Sequence, residues 1–158
     1  MIGLRRVCGA LAAATAIAGC RPTELEGSLS VLVNLEYREA RVALTPEAVT
    51  VNFVRPQGEG ENIVLQVTAR LDGVSLESGT ALDLAEMLDE DTQRGVIARN
   101  VLDDPRRSFP ALERGRLQFN RVPAPGERVA GAFSSTFAQC TEFACGRTVF
   151  GDFEASVP

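Results

Sequence analysis

The side chains in this sequence that could do chemistry are four cysteines, twenty-one carboxylates and one tyrosine. All sixteen basic residues are arginine, and histidine, lysine and tryptophan are missing. Without imidazole there is no Ser-His-Asp or Cys-His nucleophile and no histidine ligand for zinc or copper. Without lysine there is no Schiff base and no phosphate-loop cation. Cys140 and Cys145 stand in "CTEFAC" with four residues between them. A redox pair usually spaces its cysteines by two residues beside a helix start, and two thiolates alone make a poor zinc site. The run "DEDTQRG" (89–95) places acids at Asp89 and Asp91 in the manner of a calcium loop. Its sixth position is Arg94 where glycine is needed, and its twelfth is Asn100 where a bidentate glutamate is needed. "DDPRR" (103–107) reads as a turn with local ion pairs. Two-carboxylate hydrolysis is compatible with the composition, but no spacing pairs particular acids. The reading is therefore a non-enzyme with no catalytic, cofactor-binding or metal-ligating residues.

The N-terminus supplies an address. Arg5 and Arg6 precede twelve uncharged residues, Val7 to Ala18, and small residues follow at Ala18 and Gly19. That order of charged, apolar and small residues is a secretory signal peptide. A membrane-spanning helix is excluded by length: twelve residues reach roughly 18 Å against a hydrocarbon core of about 30 Å. Ile17-Ala18-Gly19-Cys20 resembles the lipobox of bacterial lipoproteins. The resemblance implies cleavage before Cys20, a diacylglyceryl group on its sulfur, and membrane attachment through several acyl chains at about 0.8 kcal/mol per buried methylene. It also implies a cell-envelope location. Arg21 stands where an aspartate often marks inner-membrane retention in Gram-negative bacteria, so the outer membrane is the expected address.

Loss of residues 1–19 leaves 139 of the 158 residues and takes the net charge from −5 to −7. That length suits one compact domain. An acidic chain whose basic clusters are limited to Arg106-Arg107 and Arg114/Arg116 is not a nucleic-acid binder. The expected organisation is a signal peptide (1–19), a lipidated cysteine with a short polar tether (20–28), and a single domain (29–158).

Outside the cytoplasm an isolated cysteine pair oxidises, so Cys140 and Cys145 are expected to form a structural disulfide at a hairpin tip. The flanks agree. "VAGAFSSTF" (129–137) and "VFGDFEASV" (149–157) carry Val, Gly and Phe at matching places twenty residues apart. Val129, Gly131, Phe133 and Phe137 share one face of the first. Val149, Gly151, Phe153, Ala155 and Val157 share one face of the second. Period-two alternation marks strands with one buried side, and the matched glycines relieve crowding where a Phe crosses, or mark bulges. Phe143, at the tip between the cysteines, either folds back onto the end of the domain or contacts a partner.

Alternation also runs through the N-terminal half: Leu29, Val31, Val33, Leu35 and Tyr37; then Val49, Val51 and Phe53; then Ile63, Leu65, Val67, Ala69 and Leu71. Turns are expected at 55–61 and 123–127, and further strands near 95–101 and 116–122. The fold class is all-β: an antiparallel β-sandwich or small barrel of about seven or eight strands. At most one short helix is expected, over 80–91, where Leu84, Met87 and Leu88 have helical spacing and Thr80 and Asp83 resemble a capping box, although "ALDL" (81–84) reads equally as strand.

Two functions remain in contention beside the disfavoured enzyme. One is a structural or protein-interaction lipoprotein that meets an envelope partner. The other is a β-sandwich that binds a small molecule or glycan. Sugar platforms use exposed Trp and Tyr, and this chain has no Trp and one Tyr, so the interaction reading leads. Nothing in the sequence addresses oligomeric state.

Overall fold

A computed structural model describes residues 23–102 and 104–158, without the side chains of Thr23, Pro105, Arg106 and Arg107. The signal peptide, Cys20 and Arg21 lie outside the described residues, as does Asp103. The elements run β1 (Thr23–Glu24), a 3-10 turn (Ser28–Val31), β2 (Glu36–Tyr37), β3 (Glu39–Leu44), β4 (Ala48–Gln57), β5 (Gly60–Arg70), β6 (Ala81–Asp83), β7 (Gly95–Val101), β8 (Asp104–Ser108), β9 (Leu112–Phe119), β10 (Arg128–Phe137) and β11 (Thr148–Ser156). The fold is all-β, as the period-two patterns require.

β1 and β2 form a small ribbon, and the other strands make one sheet in the order β6-β9-β10-β11-β3-β4-β5-β7-β8. Every pair is antiparallel except β11 with β3, where Ala155 and Ser156 run parallel to Ala40 and Arg41. The expectation of a purely antiparallel sheet is thereby corrected. β3-β4-β5-β7-β8 form one antiparallel run and β9-β10-β11 another; β6, between β5 and β7 in the chain, crosses over to pair with β9, and the two runs meet where β3 lies beside β11. The sheet folds over so that both runs cover one core. Phe53 of β4 shows this, with its ring centroid 5.3 Å from Phe133 on β10 and 5.7 Å from Phe153 on β11. Tyr37 stands edge-on to the same ring at 4.9 Å.

The sheet does not close into a barrel; Leu84 bridges β9 and β7, one strand in from each edge, and the Gln93 side chain adds two hydrogen bonds to the Leu112 backbone. Leu84 N–H donates to the carbonyl of Gly115 on β9, and Leu84 C=O accepts from Gly95 N–H on β7, at 2.9 and 2.8 Å. Leu84 is fully buried between the two glycines, and a Cβ on either would collide with it. This tie corrects the helix expected over 80–91. Residues 81–83 pair with β9, Leu84 continues that line, and the chain then turns. Asp83 does not cap a helix: its carboxylate accepts from Ala85 N–H at 2.9 Å, in an Asx turn. Met87 is exposed while Leu84 is buried, so the helical spacing serves no common face.

Two further corrections concern the N-terminal region. The alternating stretch 29–37 is not one strand; it opens with the 3-10 turn, leaving Val31 76% exposed while Leu29, Val33, Leu35 and Tyr37 are buried. The polar stretch read as a tether belongs to the fold from Thr23 onward. Leu25 is 1% exposed, Glu26 exchanges both backbone hydrogen bonds with Phe150, and Ser28 N–H donates to the hydroxyl of Thr148 at 3.1 Å.

β5 carries a bulge. Phe53 faces Leu65 but Val54 faces Ile63, so Val64 is the extra residue and both Val64 and Leu65 turn inward. Beyond it the buried position falls to Asn62 in place of Ile63. The burial is tolerated because Asn62 Oδ1 accepts from Leu102 N–H at 2.8 Å and its amide donates to Gln57.

Candidate functional site

The β10–β11 hairpin expected from the matched sequences is paired from Arg128↔Ser156 to Thr136↔Thr148. Gly131 faces Phe153, whose ring crosses over it, while Phe133 faces Gly151, whose vacant side-chain position is taken by Leu25. At the tip, Cys140 and Cys145 are joined by a disulfide with their Cα atoms 5.2 Å apart. Within the bridged loop the buried Ala144 sits at φ 67°, a left-handed conformation uncommon outside glycine. Phe143 folds back: it is half-buried against the core, with its ring 5.8 Å from Phe109, which stacks on Phe137 at 5.0 Å. The tip is thus packed onto the end of the domain.

The excursion 84–95 is held by Arg94, which is 2% exposed. Its Nε donates to Glu86 at 2.8 Å, and Nη1 donates to the carbonyls of Arg70 and Asp72 at 2.8 and 3.1 Å. The hydrogen bond from Arg94 holds the Glu86 carboxyl below the usual carboxylate range. Asp89 is likewise lowered, first by a hydrogen bond from the Thr92 side chain and then by the N–H of Asp91. The residue that breaks the calcium-loop spacing therefore ties this segment to the end of β5. Among the described residues no three Cys, Asp, Glu or His gather as a metal site.

The outer face of the hairpin's sheet has a different character. On β10 the residues Ala130, Ala132, Ser134 and Thr136 alternate with those facing the core. They form a floor of small side chains. Around Ala132 and Ser134, β9 borders this floor with Arg116 and Gln118, and β11 with Phe150 and Asp152. The result is an open depression of about 390 Å³. One cross-strand row through it reads Glu26, Phe150, Ser134, Arg116, each adjacent to the next by strand register. Beyond Arg116 the row ends at Asp83, whose carboxylate is engaged by Ala85. Phe150 is 41% exposed. Among the described residues neither Arg116 nor Glu26 forms an ion pair; Arg116 donates to the side chain of Gln118 at 2.8 Å.

Comparison with protein-family models, curated proteins and solved structures finds no match to this chain. The site must therefore be read from its own geometry. The structure brings Cys140, Cys145 and Phe143 together at one end of the domain. Cys20 lies outside the described residues, as do the side chains of Arg106 and Arg107. The row on the outer face escaped the sequence reading because Glu26, Phe150, Ser134 and Arg116 become neighbours only through strand register. A weak signal was present in the run of small outward residues on 130–136.

Proposed function

We propose that this protein is a lipid-anchored lipoprotein of the cell envelope whose β domain is a structural, protein-interaction module. The observation that carries the reading is the ordered signal ending in Ile17-Ala18-Gly19-Cys20. The start of the fold at Thr23 adds a constraint. Only Arg21 and Pro22 separate Cys20 from β1, so the anchor reaches at most about 11 Å from the domain. The domain then rides on the bilayer surface, a suitable place for a module that contacts other envelope proteins. Arg21 after the lipidated cysteine favours the outer membrane. The interaction reading is preferred over ligand binding because the core is filled by one continuous cluster of side chains. The depressions described lie on the outer face and between loops. A chain without histidine or lysine supports a non-enzymatic role.

The test is Cys20→Ala. The variant should take up no fatty-acid label and accumulate as uncleaved precursor, while the wild type is labelled and fractionates with the outer membrane. Processing and release of the variant like the wild type would overturn the anchor. Recovery of the wild type in the inner membrane would overturn the sorting alone.

A further inference from the structure

We infer that the outer face of β9-β10-β11 binds a second copy of this chain, as a two-fold dimer whose axis runs parallel to the strands and passes between β10 and β11. The order of the row Glu26, Phe150, Ser134, Arg116 is what a two-fold axis can use. A two-fold interface requires that if one residue meets another, the second meets the first in return. Rotation about an axis between Phe150 and Ser134 reverses the row. Each Arg116 then lies over the partner copy's glutamate at 26, and each Phe150 lies over the partner copy's serine at 134. The exposed ring enters the trough of small residues, and the acid and base that form no ion pair among the described residues of one copy find one across the interface. An axis perpendicular to the strands would set β9 on β9, with Arg116 against Arg116 when it passes through this row and Arg114 against Arg116 when it passes one residue along, and like charges placed opposite one another cost several kcal/mol. The charge order thus selects one of the two face-to-face arrangements.

The size of the face sets the strength. Four strand positions at about 4.8 Å by roughly 20 Å along β10 give about 400 Å² per copy, half of what a standard stable interface buries per partner. The dimer is therefore weak and concentration-dependent. It does not rest on the lipid anchor, but it is compatible with one. The same axis brings Thr23 of both copies to equal height, so two anchored copies could face each other on a single bilayer.

Sedimentation equilibrium of the whole chain, in detergent matched to the buffer density, tests this. A monomer–dimer equilibrium that weakens with added salt is expected. Arg116→Glu should weaken it by at least about tenfold, because it sets an acid over Glu26, and Glu26→Arg should do the same. The combined variant restores opposite charges across the interface and should return to within about threefold of wild type. Both side chains are exposed and make no ion pair within the copy, so circular dichroism of each variant should match wild type. A monomer at every concentration up to about 0.5 mM would overturn the inference. So would a dimer indifferent to either single reversal, or a combined variant as weak as the singles.

Discussion

Phe153 fills the space in which a side chain on Gly131 would stand. A Cβ on Gly131 would lie 2.5 Å from Phe153 Cζ and 2.6 Å from the carbonyl oxygen of Gln118. The ring can shift only into a packed core, and the carbonyl belongs to the β9–β10 ladder. Gly131→Ala is therefore expected to cost roughly 1–3 kcal/mol, the usual penalty for overpacking. Urea denaturation gives the number. In a double-mutant cycle with Phe153→Ala, the pair should cost clearly less than the sum of the singles, since removing the ring makes room for the methyl. Additive losses would show that the glycine is needed for some other reason.

That relationship was partly legible in the sequence, because period-two alternation puts Gly131 and Phe153 on the buried faces of two strands, while the register that sets them opposite each other was not. Much of β4, β5, β7 and the final hairpin was legible for the same reason. The stretch 29–37 misled because a 3-10 turn followed by a ribbon buries Leu29, Val33, Leu35 and Tyr37 at the parity a strand would show. The stretch 80–91 misled because Leu84, Met87 and Leu88 have helical spacing. The deciding fact was tertiary: Leu84 lies buried against Gly95 and Gly115 and hydrogen-bonds to both backbones. The outer-face row was beyond reach, since register between strands distant in sequence is not written in either strand alone.

Ser135 sits between Phe133 and Phe137 on the inner face of β10, 3% exposed, and its hydroxyl has no hydrogen-bond partner among the described residues. A buried unsatisfied hydroxyl costs about 1–3 kcal/mol. Ser135→Ala removes it with little change in volume and should raise stability by about 1 kcal/mol. Thermal or urea unfolding would show this as a higher midpoint. A lower midpoint would mean that the hydroxyl is bonded in solution.

The pH dependence follows from three carboxyls and one phenol. Glu86 and Glu61 are lowered chiefly by hydrogen bonds from Arg94 and Arg41, and Asp89 chiefly by one from Thr92. A carboxyl lowered in the fold stabilises it above the unfolded range of about 4, and that stabilisation disappears as pH falls through the folded value. Tyr37 moves the other way, raised first by burial and then by the charge of Asp152. Its contribution is complete below the unfolded tyrosine value of about 10 and is lost as pH rises through the higher folded one. With no histidine in the chain, the urea midpoint should be flat from about pH 6 to 9 and fall on both sides. Glu86→Gln should reduce the acid-side slope. A midpoint that moves strongly near neutral pH would contradict this assignment.

The disulfide offers the last expectation. Cys140 and Cys145 close a loop with a sequence separation of five, for which the chain-entropy estimate is about 2 kcal/mol. Below the tip, β10 and β11 remain paired over their length and keep Val129, Phe133, Val149 and Phe153 in the core. Removing the bridge should therefore lower stability without dissolving the hairpin. The double variant Cys140→Ser/Cys145→Ser is expected to lose about 2 kcal/mol in urea titration and to retain the wild-type far-UV circular dichroism. The local effect should be larger than the global one. Phe143 reaches Phe109 from inside the bridged loop, so freeing the loop should loosen that contact and speed amide exchange across 139–146 while the strands stay protected. Global loss of β signal in the variant would mean that the strands depend on the bridge to form. Two alkylatable thiols in the native protein would mean that the bridge is not there to remove.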